Sequence, residues 1–449
     1  NGGSQIALLS ATSVCVMLAI GIYRCKWAVL EEAIIDNIRA SASAIIILLL
    51  IGAIAGSWMV SGVVPTMIYY GLKILHPSFF LVASCAICAG VSLMTGSSWT
   101  TIATIGVALM GIGQAMGFPE GGIAGAIISG AYFGDKISLL SDTTVLASST
   151  VGVPIFTHIR YMLYTTVPSF VIALAVFVIA GLTLDHTGGT HAGMYADSLR
   201  GTFRITPWLL AVPVATGVLI VRKLPAIVTL FCAAVFACIA MLLAQPELVA
   251  KVAGVGGLDF MSGFKGVLMS CFGPTAIPTG SPQLDELVAT RGMAGMLNTV
   301  WLIICAMCFG GVMTGSGMLG ALTSVFLRFV RRAFSAVAST VGAGIFFNLC
   351  TADQYISIIL SGRLFRELYA EQGLEPRLLS RSVEDSATVC SVLVPWNSCG
   401  MTQATVLGVS TFVYMPYCIF NIVSPLMSLA VAAIGWKIKR AAGSAAHPH

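Results

Sequence analysis

The chain has 449 residues, of which 57% are hydrophobic and only 9% charged, against roughly 25% charged in soluble domains. A formal net charge of +5 is modest and argues for no nucleic-acid partner. Apolar runs at 44–55, 161–184, 224–244 and 414–436 are mostly long enough for helices across a hydrocarbon core about 30 Å thick. That excludes a soluble core, so the sequence reads as an all-α polytopic membrane protein.

Residues 1–41 read as an N-terminal helix at 4–22 followed by an amphipathic linker, with no cleavable signal at Asn1. A first unit covers 42–184. It holds a span at 42–62 and a hairpin at 79–116 whose polar tip is Gly96-Ser97-Ser98-Trp99-Thr100-Thr101. The segment at 120–153 is too polar in its middle for a plain helix, and a span at 163–184 follows. Residues 185–294 are connecting helices and loop, with spans at 206–221 and 224–243 and the acids Asp285 and Glu286 beyond.

A second unit, 295–436, repeats the plan. Its span is at 295–314 and its hairpin at 333–371, with the tip Thr351-Ala352-Asp353-Gln354-Tyr355. An interrupted segment at 376–412 contains Pro395-Trp396-Asn397-Ser398, and 413–435 is the last span. A basic tail, 437–449, closes the chain. Both hairpins are read as re-entrant, and both interrupted segments as two half-helices around an unwound break. The fold expected is an inverted-repeat transporter with two re-entrant helical hairpins and two broken transmembrane helices.

Threading puts most bases on one side, among them Arg24, Arg160, Arg222, Lys223, Arg331, Arg377, Arg381, Lys439 and Arg440. The other side holds Lys73, Arg200, Arg204, Lys251, Lys265 and Arg291. The positive-inside rule makes the first side cytoplasmic and the C-terminus with it. A shift of 255 aligns Ser61-Gly62 with Ser316-Gly317 and Ser98 with Asp353; a shift of 256 aligns Gly152-Val153 with Gly408-Val409. In this threading the two units start on opposite sides, so the repeat is inverted.

Breaking a helix in lipid frees backbone groups that survive only where they line a cavity or are buried in protein. A desolvated sodium ion needs hard oxygen ligands, and the tips and breaks supply them. In the first half these are Ser97, Ser98, Thr100 and Thr101 with Asp135, Ser141, Asp142, Thr143 and Thr144. The second half offers Asn348, Thr351 and Asp353 opposite Asn397 and Ser398. For proton exchange one carboxylate must alternate between a cation and a proton, and the candidates are Asp142, Asp135 and Asp353. Lys136, paired with Asp135, would hold that neighbour ionised, which favours Asp142. Sodium at these oxygens is the only metal expected, and no cofactor is.

Plainer readings stand beside these. Ser and Thr in membrane helices often bond back to their own carbonyls. Glu384-Asp385 reads as a helix-start or interface feature, His158 as an interfacial anchor, and Trp99 and Trp396 as wedges. Gly121, Gly125, Gly130 and Gly134 read as close helix packing. Cys85-x-x-Cys88 and Cys305-x-x-Cys308 lie in apolar runs without histidine and read as buried thiols.

The tip at 96–101, the stretch Gly125-Ala126-Ile127-Ile128-Ser129-Gly130-Ala131-Tyr132-Phe133-Gly134-Asp135-Lys136 and Ser141-Asp142-Thr143-Thr144 resemble the NhaC family of sodium/proton antiporters. So do Leu379-Ser380-Arg381-Ser382-Val383-Glu384-Asp385 and Pro395-Trp396-Asn397. The resemblance spans nearly the whole chain. It implies the wider ion transporter superfamily, paired hairpins and broken helices, a homodimer and an elevator-like moving domain in the inner (plasma) membrane. Two positions depart from the family pattern: Leu139 stands where a proline is usual, and Val145 where an asparagine is.

The expected function is a secondary active antiporter exchanging sodium ions for protons. The alternative is a sodium/proton-coupled exchanger of small organic acids such as malate and lactate. No enzyme is expected: the chain has no His-Glu-x-x-His, and none of its six histidines falls near Asp135, Asp142 or Asp353 in sequence.

Overall fold

A computed structural model describes residues 3–183, 189–222, 224–257, 259–279, 285, 288–328 and 332–438. Glu286, the bases Lys223, Arg331, Lys439 and Arg440, and nearly all of the tail lie outside them. Among the described residues seven helices are long and apolar enough to cross a membrane, or up to ten if each of three bent pairs counts as one span. The only β-type pairing among them is an isolated bridge between Thr275 and Thr290. The protein is an all-helical, multi-pass membrane protein.

The helices follow from composition and punctuation. Trp27–Val60 runs unbroken for 34 residues, about 50 Å at 1.5 Å per residue, absorbing the expected linker into the first span. Nothing breaks it: no proline occurs within it, and Glu31, Glu32, Asp36 and Arg39 lie on its exposed face. It packs along Gly292–Gly315, where Gly52 meets the Gly292 carbonyl and Gly311 meets the backbone of Ile34. Trp58 is buried and donates its indole N–H to the Ala233 carbonyl at 3.2 Å, fixing the helix to Ala226–Ala244. The segment after residue 244, where no span is expected, forms two short helices, Pro246–Ala253 and Phe260–Phe272. Asp259 caps the second through reciprocal bonds with Ser262.

The first hairpin descends through Phe80–Thr95, turns at Gly96 and returns through Ser98–Thr101, a π-helical turn at Ile102–Gly106 and Val107–Ala115. The second descends through Ala333–Thr351, turns at Ala352 and returns through Gln354–Glu371. Both turn residues are left-handed, with φ of 65° at Gly96 and 57° at Ala352.

The two tips share one hydrogen-bond pattern at positions 256 residues apart, as 97 and 353 are. Ser97 and Asp353 cap the returning arms by accepting from Thr100 N at 3.2 Å and Ile356 N at 3.1 Å. Thr95 and Thr351 donate to the carbonyls of Ser97 and Asp353 at 3.1 and 3.2 Å. Those carbonyls also accept from Thr101 at 2.9 Å and Ser357 at 2.6 Å. The caps therefore match Asp353 with Ser97, one residue from the Ser98 pairing that residue identity favours.

The first interrupted segment is Glu120–Ile137 and Asp142–Val151, meeting at a 47° bend. The second is more fragmented: Pro376–Val383, a π-helical turn at Glu384–Thr388, a 3-10 turn at Ser391–Leu393, and Ser398–Leu407. The outgoing half-helices again correspond. Ser141 and Asn397 cap their starts, and left-handed Gly152 and Gly408 end them. Glu120–Ile137 lies close against Phe80–Thr95. A Cβ at Gly130 would sit 2.0 Å from the Cys85 carbonyl oxygen, and one at Gly134 2.3 Å from that of Ala89.

Candidate functional site

The first break and the first hairpin tip meet at a cavity of about 470 Å³. Ser97, Ser98, Trp99 and Thr100 line it from the tip, and Asp135, Leu140, Asp142 and Thr143 from the break. Gln354 and Tyr355 reach it from the second tip, and Ala226 and Thr229 from a connecting helix. Asp135 is buried in the last turn of Glu120–Ile137. Its Oδ2 accepts from Ser98 Oγ at 2.8 Å, while its Oδ1 has no hydrogen-bond partner. Burying a carboxylate oxygen without a donor is costly, and a cation arriving in the cavity would remove that cost.

Asp142 opens the outgoing half-helix at the exposed edge of the same cavity, and its Oδ2 accepts from the Tyr355 phenol at 2.7 Å. Thr143 shares a hydrogen bond with Ser141 at 2.9 Å and donates to Glu384 Oε1 at 3.4 Å, the long end of the range. Ser141, Thr144 and Thr101 are buried but do not line the cavity. Ser141 and Thr101 serve the cap and the tip, and Thr144 donates to the Lys136 carbonyl at 3.0 Å.

The second-half residues gather in their own network. Asp353 is buried, and Ser398 Oγ donates to its Oδ2 at 3.2 Å. Asn397 donates to Asn348 Oδ1 at 3.0 Å, and Asn348 donates to the Ala387 carbonyl at 2.8 Å. Thr351 is consumed by the tip. Set against the first half, the acids change places. Position pair 97 and 142 is Ser and Asp, whereas 353 and 398 is Asp and Ser. Ser98–Asp135 at 2.8 Å corresponds to Gln354–Ser391, also 2.8 Å, with no carboxylate.

Beside the cavity lies a fully buried ionic cluster whose pairing differs from the sequence expectation. Lys136 binds Asp385, not Asp135, and also donates to Ser424 at 2.8 Å. Neighbours in a helix point about 100° apart, which sends Asp135 to the cavity and Lys136 to the second broken helix. Asp385 Oδ1 further accepts from Thr165 at 3.1 Å and Ser424 at 3.3 Å. Arg381, threaded as a cytoplasmic surface base, is fully buried with its Nε 3.8 Å from Asp385 Oδ2 and its guanidinium 4.8 Å from the Tyr161 ring. His158 is no interfacial anchor either; it is buried and shares a 2.8 Å bond with Ser380.

Sequence reasoning undervalued Glu384 and Asp385, both fully buried on the π-helical turn. One signal was available: two adjacent acids in a chain with only 18, opening a run that is otherwise uncharged from Ser386 to Ile434. Gln354 and Tyr355 were read as parts of a tip and not as cavity residues. Among the described residues no group of three His, Cys, Asp or Glu side chains is arranged as a resident metal centre. The oxygens at the cavity suit a transient hard cation instead. A second cavity, about 870 Å³, lies between the returning arm of the first hairpin and residues 404–410, with Gln114, Glu120, Arg291 and Asn298 on its wall.

Carboxylates and hydroxyls gathered where helices are interrupted, in a chain of apolar spans, define a membrane transporter of ions or small polar solutes. The chain belongs to the Na+/H+ antiporter family, whose sequence profile matches residues 130–436. It is 35% identical over 425 residues to the Na(+)/H(+) antiporter NhaC of Alkalihalophilus pseudofirmus, covering 94% of this chain and 89% of that one. It is 35% identical over 440 residues to the malate-2H(+)/Na(+)-lactate antiporter of Bacillus subtilis, covering 97% and 88%. The Na(+)/H(+) antiporter NhaC of Bacillus subtilis is 33% identical over 414 residues, covering 91% and 87%.

Proposed function

We infer that the protein is a secondary antiporter that exchanges sodium ions for protons, driven by ion gradients alone and without a cofactor. The observation that carries this reading is Asp135: buried, held through one oxygen by Ser98, its other oxygen unpartnered, in a cavity lined by hydroxyls. A sodium ion there takes oxygens from Asp135, Ser98, Thr143 and the exposed Asp142, and a proton on a carboxylate neutralises the same charge when sodium leaves. The two cannot occupy the site together at full affinity, and such competition couples their movements.

Two oppositely oriented halves suit this task. The matched caps and the exchanged Ser/Asp pairs support descent from one repeated unit, and the base distribution supports inverted insertion with the C-terminus in the cytoplasm. On that orientation the first cavity, beside Leu224 and Pro225, faces the cytoplasm, and the second, beside Arg291, faces the other side. The hairpins are re-entrant in this reading, and the protein works as a homodimer with a moving transport domain.

The test is reconstitution into liposomes carrying an internal pH dye. An outward sodium gradient should drive proton uptake with no organic acid present. A strict requirement for malate or lactate would replace this reading with exchange of small carboxylates, which the relationship to the malate–lactate antiporter makes the alternative. Flux without coupled proton movement would make the protein a channel.

A further inference from the structure

Lys136 poses a problem for any cation site at Asp135. A lysine next in sequence to the carboxylate, and buried with it, is a tethered competitor for an incoming sodium ion. Its ammonium is nevertheless held elsewhere. Asp385 and Ser424 take it, and the Phe420 ring lies 5.6 Å from it. Thr165 and Ser424 also donate to the Asp385 oxygen that receives the lysine, so that oxygen is fixed from three helices. Asp135, by contrast, keeps one oxygen unpartnered.

We propose that Asp385 is a positioning residue that sequesters the Lys136 ammonium, so that the Asp135 carboxylate stays open to the transported cation. The inference rests on the antiport reading and deepens it, because it assigns cation affinity to a residue outside the cavity. It also accounts for a buried pair joining the two interrupted segments across 249 positions of sequence. Without Asp385 the lysine and the neighbouring Arg381 guanidinium are both uncompensated buried charges. The acids left within the lysine's neighbourhood are then Asp135, beside it in sequence, and Glu384, beside Asp385. An ammonium that turns to Asp135 neutralises the carboxylate that lines the cavity, and one that turns to Glu384 neutralises the acid behind Thr143; either weakens sodium binding.

The experiment compares three variants with wild type in proteoliposomes, reading half-saturating sodium and maximal rate separately. Asp385→Asn should raise half-saturating sodium about tenfold or more, with the maximal rate retained at saturating sodium. Lys136→Gln should leave it within about threefold of wild type, because Asp135 is still open. The double variant, which leaves no ammonium beside Asp135, should also return to wild-type half-saturation even though Arg381 keeps its charge. A purely structural staple predicts instead that both single variants lose rate or folded yield together. Unchanged half-saturation in Asp385→Asn, or a double variant as poor as that single one, overturns the inference while leaving antiport intact. If Asp385→Asn does not fold, Asp385→Ser takes its place: raised half-saturating sodium at retained maximal rate upholds the inference, and unchanged half-saturation overturns it. Wild-type protein that moves no protons on a sodium pulse overturns the antiport reading itself.

Discussion

Ser98 donates to Asp135 across 2.8 Å, and this bond ties the tip of the first hairpin to the last turn before the first break. It holds one carboxylate oxygen while the other is left without a donor. Asp135→Asn keeps the shape and removes the charge. It is expected to abolish sodium-driven proton flux at unchanged folded yield. Ser98→Ala is expected to raise half-saturating sodium roughly tenfold, equivalent to about 1.4 kcal/mol, the low end for a hydrogen bond to a charged group. Dye-reported flux across a sodium titration measures both.

Asp142 is the exposed acid of the pair, and the Tyr355 phenol from the other half holds it. Asp142→Asn should stop sodium-dependent proton movement without disturbing the fold, since the residue is not packed in the interior. Tyr355→Phe, which removes only the donor, should weaken sodium dependence without abolishing exchange. Normal exchange in Asp142→Asn would remove that residue from the site.

Asp353 both caps the returning arm of the second hairpin and accepts from Ser398. Asparagine caps a helix as well as aspartate, whereas alanine costs about 1 kcal/mol. Asp353→Asn should therefore keep wild-type thermal stability, and any loss of transport in it reports the charge alone. Asp353→Ala should melt earlier as well. Fluorescence-detected unfolding in detergent separates the two.

Gly130 allows Glu120–Ile137 to lie against the Cys85 carbonyl, where an added Cβ would be 2.0 Å from the oxygen. Gly130→Ala forces the helices apart, and overpacking of this kind costs about 1–3 kcal/mol. Lower folded yield and a lower unfolding temperature are expected. Gly90, on the hairpin arm that carries Cys85 but with open space around its would-be Cβ, should tolerate alanine at that test.

The tips and breaks were legible because their signals are local. Polar residues in apolar runs, a turn glycine and Ser, Asp or Asn at a cap announce an interruption within five or six residues of it. The glycine spacing at Gly121, Gly125, Gly130 and Gly134 likewise announced close packing. Ion pairing was illegible because it is settled by tertiary approach. Nothing near Lys136 in sequence says that its partner is Asp385, and the obvious candidate was the aspartate beside it. Arg381 and His158 look like surface residues by type, and tertiary packing, that of Ile155–Thr183 against Pro376–Val383 included, buries them. The Ser98–Asp353 alignment and the hydrogen bonds differ by one residue because identity matching weighs residue type, whereas serine at 97 and aspartate at 353 serve the same backbone cap.

The residue at the summit of each hairpin gives the two halves different histories. Gly96 has no room for a methyl group, since a Cβ there would meet the Leu140 carbonyl carbon at 2.6 Å. Its counterpart is already an alanine, buried and left-handed. Gly96→Ala would push that methyl into the Leu140 backbone, while Ala352→Gly would only relieve the left-handed strain. At the summit of its hairpin, the half with Asp135 therefore admits a glycine alone, whereas the other half already carries a side chain there.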